Sequence, residues 1–468
     1  MSQDSPSVIE LRPTSDPWDM AQRVADLPHL AFFDSAGGPR HLCRYSYLTA
    51  DPISWLTCRG PNLMLDGTRQ ALDPFEYLSR WSAANRRESL AGLPPFQGGI
   101  AGYLGYELGR WIERLPVPAL DEFTMPDLAL GVYDWVVSWD HSQNRAWLVG
   151  PANRIGPVLD RLQRDTVFDK PLSHGRTITP QRLAPLADRP EIYSNFTRGQ
   201  YEEVVRRAID YIHAGDCFQV NIAQRLLTRA SESPIRLYDR LRQKNPAPFA
   251  GYFDAGEVQI MSASPERFMH LSPEGKVTTR PIKGTRPRGA SDDADHAVQR
   301  ELLASAKDRA ENVMIVDLLR NDLGRVCDYG TVRADDVCML ESFATVHHLV
   351  SEVRGSLRPG AMASDLLRAS FPGGSVTGAP KIRAMQIIAE LEATARGPYC
   401  GCLGWLGWDG AMDTNILIRT FVQAGGWLQF SVGGGIVADS SPQREYDETM
   451  HKAKGMLMSL PENSAVKC

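Results

Sequence analysis

One lysine in this chain sits where an amine could react: Arg280-Pro281-Ile282-Lys283-Gly284-Thr285-Arg286. Removal from water and nearby positive charge both lower a lysine below its usual value of about 10.4. An amine tuned in that way is a nucleophile near neutral pH. Gly284 lets a ligand approach the backbone, and Thr285 adds a hydroxyl. A solvated basic turn has the same composition, so the segment needs partners. Two acid pairs supply candidates. Asp308 and Glu311 are three residues apart, as are Glu445 and Glu448, with Lys452 following. Residues at that spacing share a helical face. Two such faces turned toward each other would repel unless a cation lay between them, and carboxylate oxygens suit Mg²⁺. Each pair alone also suits a solvated helix surface.

Other residues narrow the choices. Arg419 lies inside the apolar run ILIRT, where a charge is functional or ion-paired rather than idle. Gly433, Gly434 and Gly435 would give a carboxylate close access to backbone N–H groups, or form a flexible turn. The stretch GGSVTGAPK looks superficially like a phosphate loop, but proline precedes Lys381 and no Ser or Thr follows it. A pyridoxal-phosphate enzyme could use Lys283 as its Schiff base, but a phosphate cup and a pyridinium partner are missing from the sequence. Cys402 in GCLGW has no paired His/Glu signature to complete a nucleophilic triad.

Several long motifs then occur in one order: RYSYLTADP from Arg44, GGIAGYLGYE from Gly98, SASPERF from Ser262, PIKGTR from Pro281, AENVMIVDLLRNDLGR from Ala310, FPGGSVTGAPKIRAM from Phe371 and VGGGIVADSSP from Val432. Together they resemble the chorismate-utilising enzymes, in the branch of the aminodeoxychorismate synthase component I proteins. The match is dense over the last roughly 270 residues. Anthranilate synthase relatives usually carry alanine where this chain has Lys283. The resemblance implies two large β-sheets wrapped by helices, an α/β (α+β) architecture. It also implies an Mg²⁺-dependent reaction of chorismate with ammonia that a separate glutamine amidotransferase subunit supplies.

Carried over residue by residue, the resemblance makes Lys283 the nucleophile and Glu266 the general acid. An ion pair of Glu266 with Arg267 or Arg288 is the rival. Glu311 and Glu448 fall at the metal positions, with Asp308 and Glu445 as supporting acids; the family more often has Glu where Asp308 stands. The substrate site would comprise Gly284, Thr285, His348, Thr377, Tyr399, Arg419, Gly433, Gly434, Gly435 and Lys452. His347 is a register rival of His348, since only one can face the site from a strand. Gln219 stands where water-adding relatives carry a lysine base, which implies an amine as the incoming nucleophile. The segment PHLAFFDSAGG with Ser35, together with Arg44, Tyr45 and Pro248, resembles the family's tryptophan-binding element. A catalytically idle tryptophan-sensing subunit is an alternative that the retained Lys283, Glu266 and acid pairs oppose.

The elements that must position these groups are partly legible. The chain has 468 residues, 43% hydrophobic and 23% charged, with net charge −5. That is the composition of a globular protein, without the basic stripe of a nucleic-acid binder. No apolar run reaches the ~20 residues needed to span a bilayer. The polar start MSQDSPSVIE lacks the order of a signal peptide, so we expect a cytoplasmic protein whose eight cysteines are reduced. Three regions are expected: 8–170, a Pro-rich linker 171–198, and a catalytic region 199–460. Periodicity predicts a helix over Tyr201 to His213. A strand follows through Phe218, Val220, Ile222 and Leu226, with Gln219 and Asn221 on its other face. A helix over Arg300 to Leu319 would carry Leu303, Lys307, Ala310, Met314 and Leu318 on one stripe. A last helix opens at Ser441 and Pro442. Ala129 to Trp139 and Arg145 to Val149 read as a strand pair.

Overall fold

The computed structural model describes residues 6–12, 14–164, 177–343 and 346–461. Alternating apolar residues build two large sheets, of 13 and 12 strands among the described residues. The first runs in the order Ser7–Leu11, Arg145–Gly150, Val136–Asp140, Tyr45–Thr49, Ala31–Asp34, Phe249–Asp254, Val258–Ser264, Thr420–Ala424, Trp427–Ile436, Gln219–Arg229, Arg189–Ser194 and Ala184–Leu186. The second contains Ile282–Pro287, Val346–Ser356, Arg267–Leu271, Cys402–Gly407, Gly99–Leu104 and Leu128–Tyr133 among others. One apolar core lies between the sheets, where Tyr47, Phe253 and Ile260 of the first meet Ala101, Tyr103 and Trp405 of the second. Helices cover the outer faces. Trp18, Tyr238 and Met456 pack on the first sheet, and Phe75, Ile315 and Leu366 on the second.

The three expected regions are not spatially separate. Both sheets take a block of strands from 8–170 and a block from 199–460, joined where Ala31–Asp34 pairs with Phe249–Asp254 and where Gly99–Leu104 pairs with Cys402–Gly407. Part of the expected linker, Arg189–Ser194, is a strand that pairs Tyr193 with Leu227, while 171–176 lies outside the described residues. Pro185 and Pro190 sit in the last strands at that edge, where a missing N–H is tolerated. The run 129–139 is also divided. Leu128–Tyr133 joins the second sheet, and only Val136–Asp140 pairs with Arg145–Gly150.

The helix expected at 201–213 spans Arg198–His213, closed by a capping box between Thr197 and Gln200. The next strand spans Gln219–Arg229 with Val220, Ile222 and Leu226 buried. Phe218, however, is 72% exposed and lies before the strand. The helix expected over 300–319 is two helices, Asp292–Ala304 and Ala306–Gly324, broken at Ser305. Its buried stripe is Asn312, Ile315, Val316, Leu319 and Leu323, not the one expected, and Leu303 is exposed. The phase is set by Asn312, whose side chain receives a hydrogen bond from Ser351 and donates to the carbonyl of Leu349. A count of apolar residues cannot see a buried asparagine. The last helix, Pro442–Ser459, starts as expected, but Ser441 makes no capping bond; Ser440 Oγ donates to Glu445 at 2.7 Å instead.

Candidate active site

Lys283 projects from the strand Ile282–Pro287, which pairs with Val346–Ser356 under the helix Ala306–Gly324. Burial pushes its amine below the ordinary lysine range; Glu311 opposes the shift, and Lys452 adds to it. The flanking arginines do not take part. Arg280 is paired with Glu341 and Glu352, and Arg286 with Glu301 and Asp308. Their charges are neutralised by their own acids. Glu266 follows the strand Val258–Ser264 and is 5% exposed. Burial pushes its carboxyl up to about 7, against a 2.6 Å hydrogen bond from Ser375 Oγ, the Lys283 charge and the amide of Ile282. The rival ion pairs are absent, because Arg267 holds Asp413 and Arg288 holds Asp295. A desolvated amine and a buried carboxyl therefore act on each other's charge, both biased by burial toward their neutral forms.

The four acids act on one another, with Asp308 and Glu448 both raising Glu311. Burial raises Glu311 and Glu445, and the Glu448 charge raises both further. Glu448 is more exposed than the other two, its side chain 52% accessible, and Lys452 at 2.6 Å helps bring it below its ordinary value. Gly434 lies against this group: a Cβ there would stand 3.2 Å from Glu445 and 3.6 Å from Glu448. Asp308 is different, being committed to Arg286 at 3.0 Å. Among the described residues, no three acidic, histidine or cysteine groups come within reach of one metal. Mg²⁺ is commonly held by one or two carboxylates with water and substrate oxygens. Glu311 and Glu448, mutually repelling and close to Lys283, fit that donor set.

The strand register separates the two histidines. His348 pairs across from Thr285, whose hydroxyl lies 2.8 Å from His348 Nδ1. Burial, then Arg419, push this imidazole down to about 4, so it is neutral near pH 7. His347 faces the other way, 2.9 Å from Asp295 and 2.8 Å from Ser342. Arg419 adopts φ = 53°, which a residue with a side chain rarely takes. Its guanidinium donates to the carbonyl of Lys452, and burial lowers its proton affinity against Tyr399 and Glu448. The three glycines are not a turn but the interior of the strand Trp427–Ile436. A side chain at Gly433 would meet the backbone of Ile222, and one at Gly435 would collide with Gln219. Gly284, at φ = 85°, has Asp308 and Leu302 just over 3 Å from where a Cβ would stand. Lys452 also donates to the carbonyl of Gly433 at 2.9 Å. Thr377 turns its hydroxyl back onto the carbonyl of Gly373 at 3.0 Å.

The sequence matches the chorismate binding enzyme family over residues 43–458. The chain belongs to this family. It is 39% identical over 462 residues to aminodeoxychorismate synthase component 1 of Escherichia coli (strain K12), covering 97% of this chain and 99% of that one. It is 45% identical over 368 residues to anthranilate synthase component 1 of Thermus thermophilus, covering 79% of this chain and 78% of that one. Anthranilate synthase component I from Streptococcus pneumoniae TIGR4 has the same fold, with TM-score 0.77 and 32% identity over 89% of this chain and 92% of that chain.

Within this chorismate-binding fold lies a support that sequence reading missed. Arg396 is buried and paired with Glu392 at 2.6 Å. It donates to the carbonyls of Val376 and Asn221, and its guanidinium lies 4.7 Å from the ring centre of Tyr106 and 5.6 Å from that of Tyr399. Glu107, the last residue of GGIAGYLGYE, accepts from the amides of Arg396 and Gly397. The motifs near Gly98 and Phe371, far apart in sequence, thus close on one arginine. An arginine preceding glycine and proline gives no periodic signal. Ser375 lies within GGSVTGAPK, where its neighbours suggest a phosphate loop and nothing local points to a carboxyl partner at Glu266.

The N-terminal residues also gather. Ser35 Oγ donates to the carbonyl of Tyr45 at 2.5 Å, Arg44 pairs with Asp140 at 2.9 Å, and Pro248 packs near Gly38. No helix among the described residues is long and apolar enough to cross a membrane, and the seven described cysteines are free thiols.

Proposed function

We propose that this chain is component I of an aminodeoxychorismate synthase, which converts chorismate and ammonia to 4-amino-4-deoxychorismate, the precursor of 4-aminobenzoate for folate. The observation that carries this reading is the electrostatic coupling of Lys283 to the buried Glu266. Burial makes the amine easier to deprotonate and the carboxyl harder, so each is held toward the form the chemistry needs. Neutral Lys283 attacks ring C2, electrons move through the ring, and the C4 hydroxyl departs as water with the proton of Glu266. Ammonia then attacks C4, and the neutral lysine amine leaves C2. The new C4 ammonium returns a proton to the Glu266 carboxylate. Atoms and protons balance, and both groups regain their starting forms.

Arg419 suits the carboxylate of the enolpyruvyl ether, because a planar fork binds it through two parallel bonds, and Tyr399 would lie beside it. His348, neutral, would approach the ring hydroxyl. Glu311 and Glu448 would hold Mg²⁺, with Glu445 in support; bound there, the ion would neutralise the ring carboxylate and withdraw electron density. Gln219 favours an amine nucleophile because an amide cannot deprotonate water; its Oε1 is buried and accepts from no described residue. Ammonia would come from a glutamine amidotransferase subunit, and the pair would work in the cytoplasm. Ser35, Arg44, Tyr45 and Pro248 would form a tryptophan-binding element.

A second reading is anthranilate synthase component I, favoured by the 45% identity to the Thermus relative. Incubation with chorismate, ammonia and Mg²⁺ distinguishes them. We expect 4-amino-4-deoxychorismate; anthranilate and pyruvate as the main products would replace this reading with the second.

A further inference from the structure

We propose that Ser375 is a positioning residue for the general acid: its hydroxyl orients Glu266 and stabilises the carboxylate left when the proton departs. The inference rests on the role given above to Glu266. Ser375 Oγ donates to Glu266 Oε1 at 2.6 Å, and both side chains are buried. A hydrogen bond to a charged group is stronger than one to its neutral form, so this donor favours the ionised product of proton transfer. Because both groups are buried, the bond is electrostatically stronger than it would be in water.

The rest of the loop holds that hydroxyl in place. The turn Gly374–Val376 is tied to the strand Gln219–Arg229 at three points. Asn221 Nδ2 donates to the carbonyl of Ser375 at 3.1 Å, the Asn221 amide to Thr377 at 2.8 Å, and Arg396 joins the carbonyls of Asn221 and Val376. Lys381, paired with Asp322 at 2.6 Å, anchors the far end of the loop. A hydroxyl needing only a partner would not require so many constraints on its backbone. The groups acting on Glu266 from surrounding elements are few. Lys283 comes from the strand Ile282–Pro287 together with the Ile282 amide, and Cys400 from the segment before Cys402–Gly407. Burial pushes the Cys400 thiol up to about 12, so it carries no charge near pH 7. Ser375 is therefore the one neutral side chain bonded to this carboxyl among the described residues.

The test is the pH profile of kcat for chorismate amination with ammonia, in wild type, Ser375→Ala and Ser375→Thr. Wild type should lose activity above about pH 7 as Glu266 ionises. Ser375→Ala should move that alkaline limb up by about one pH unit and lower kcat by about tenfold, while KM for chorismate stays within about twofold. Ser375→Thr, which keeps the hydroxyl, should restore both limb and rate. An unmoved limb in Ser375→Ala would overturn the proposal. So would a raised KM with unchanged kcat, which would make Ser375 a substrate contact, or equal shifts in both variants, which would reduce its role to packing. Failure of wild type to aminate chorismate would instead remove the parent reading.

Discussion

Replacing Glu266 by glutamine should make the protein inactive and, at alkaline pH, more stable. The carboxyl is buried and pushed from 4.5 to about 7 in the folded chain. In the unfolded chain it ionises near 4.5, so between these values the unfolded state binds fewer protons. Stability contributed by this group therefore falls as pH rises through the window and stays lost above about 7. At 1.36 kcal/mol per pH unit the loss is about 3 kcal/mol. Glutamine has the same shape and still accepts from Ser375, but it does not titrate. Glu107 is also pushed to about 7 by burial, yet it is present in both proteins and cancels in the comparison. Urea unfolding at pH 5 and pH 8 should show the variant losing about 2.5 kcal/mol less than wild type across that interval, because part of the loss has already occurred at pH 5. Turnover should fall by about 10²–10⁴, the usual contribution of a general acid. Equal pH dependence of stability in the two proteins would refute the burial argument. Retained turnover would refute the role.

Lys283→Ala should reduce 4-amino-4-deoxychorismate formation by several orders of magnitude, while chorismate still binds and displaces in a direct titration. A small yield of anthranilate by ammonia attack at C2 is the expected residual activity; a near wild-type yield of the 4-amino product would show another nucleophile. Glu311→Gln and Glu448→Gln should each raise the Mg²⁺ concentration needed for half-maximal rate by at least about tenfold, with circular dichroism unchanged; normal magnesium dependence in either would remove that residue from the metal site. Arg419→Lys should weaken chorismate binding by roughly 10–100-fold, because an ammonium cannot form the two parallel bonds. Unchanged affinity by calorimetry would move the enolpyruvyl carboxylate elsewhere.

What the sequence revealed was local. Ser441-Pro442 marked the last helix and the Tyr201 stripe its helix, whereas nothing in residues 280–286 announced the edge strand Ile282–Pro287 that carries Lys283. Three kinds of information were hidden. The first is non-local pairing: nothing near Tyr45 announces that it lies in one sheet with Phe249 and Trp427, so the two halves looked like separate regions. The second is buried polarity. Asn312 and Arg396 are inside because their hydrogen bonds are satisfied by distant partners, and a periodicity argument counts both as surface. The third is the source of electrostatic tuning. The arginines beside Lys283 are its neighbours in sequence, but their charges are spent on Glu341, Glu352, Glu301 and Asp308. Burial and Lys452 act on the amine in their place. Gly434 joins the first and third kinds: its missing Cβ clears space for acids on a helix that follows the strand by several residues.

The most direct test of covalent amination is mass spectrometry of the Lys283 peptide after acid quench of wild type with chorismate and Mg²⁺, without ammonia. The expected result is an adduct of chorismate less one water on Lys283, which disappears when ammonia is added and 4-amino-4-deoxychorismate forms. An unmodified Lys283 in enzyme that goes on to make the 4-amino product at full rate would contradict it.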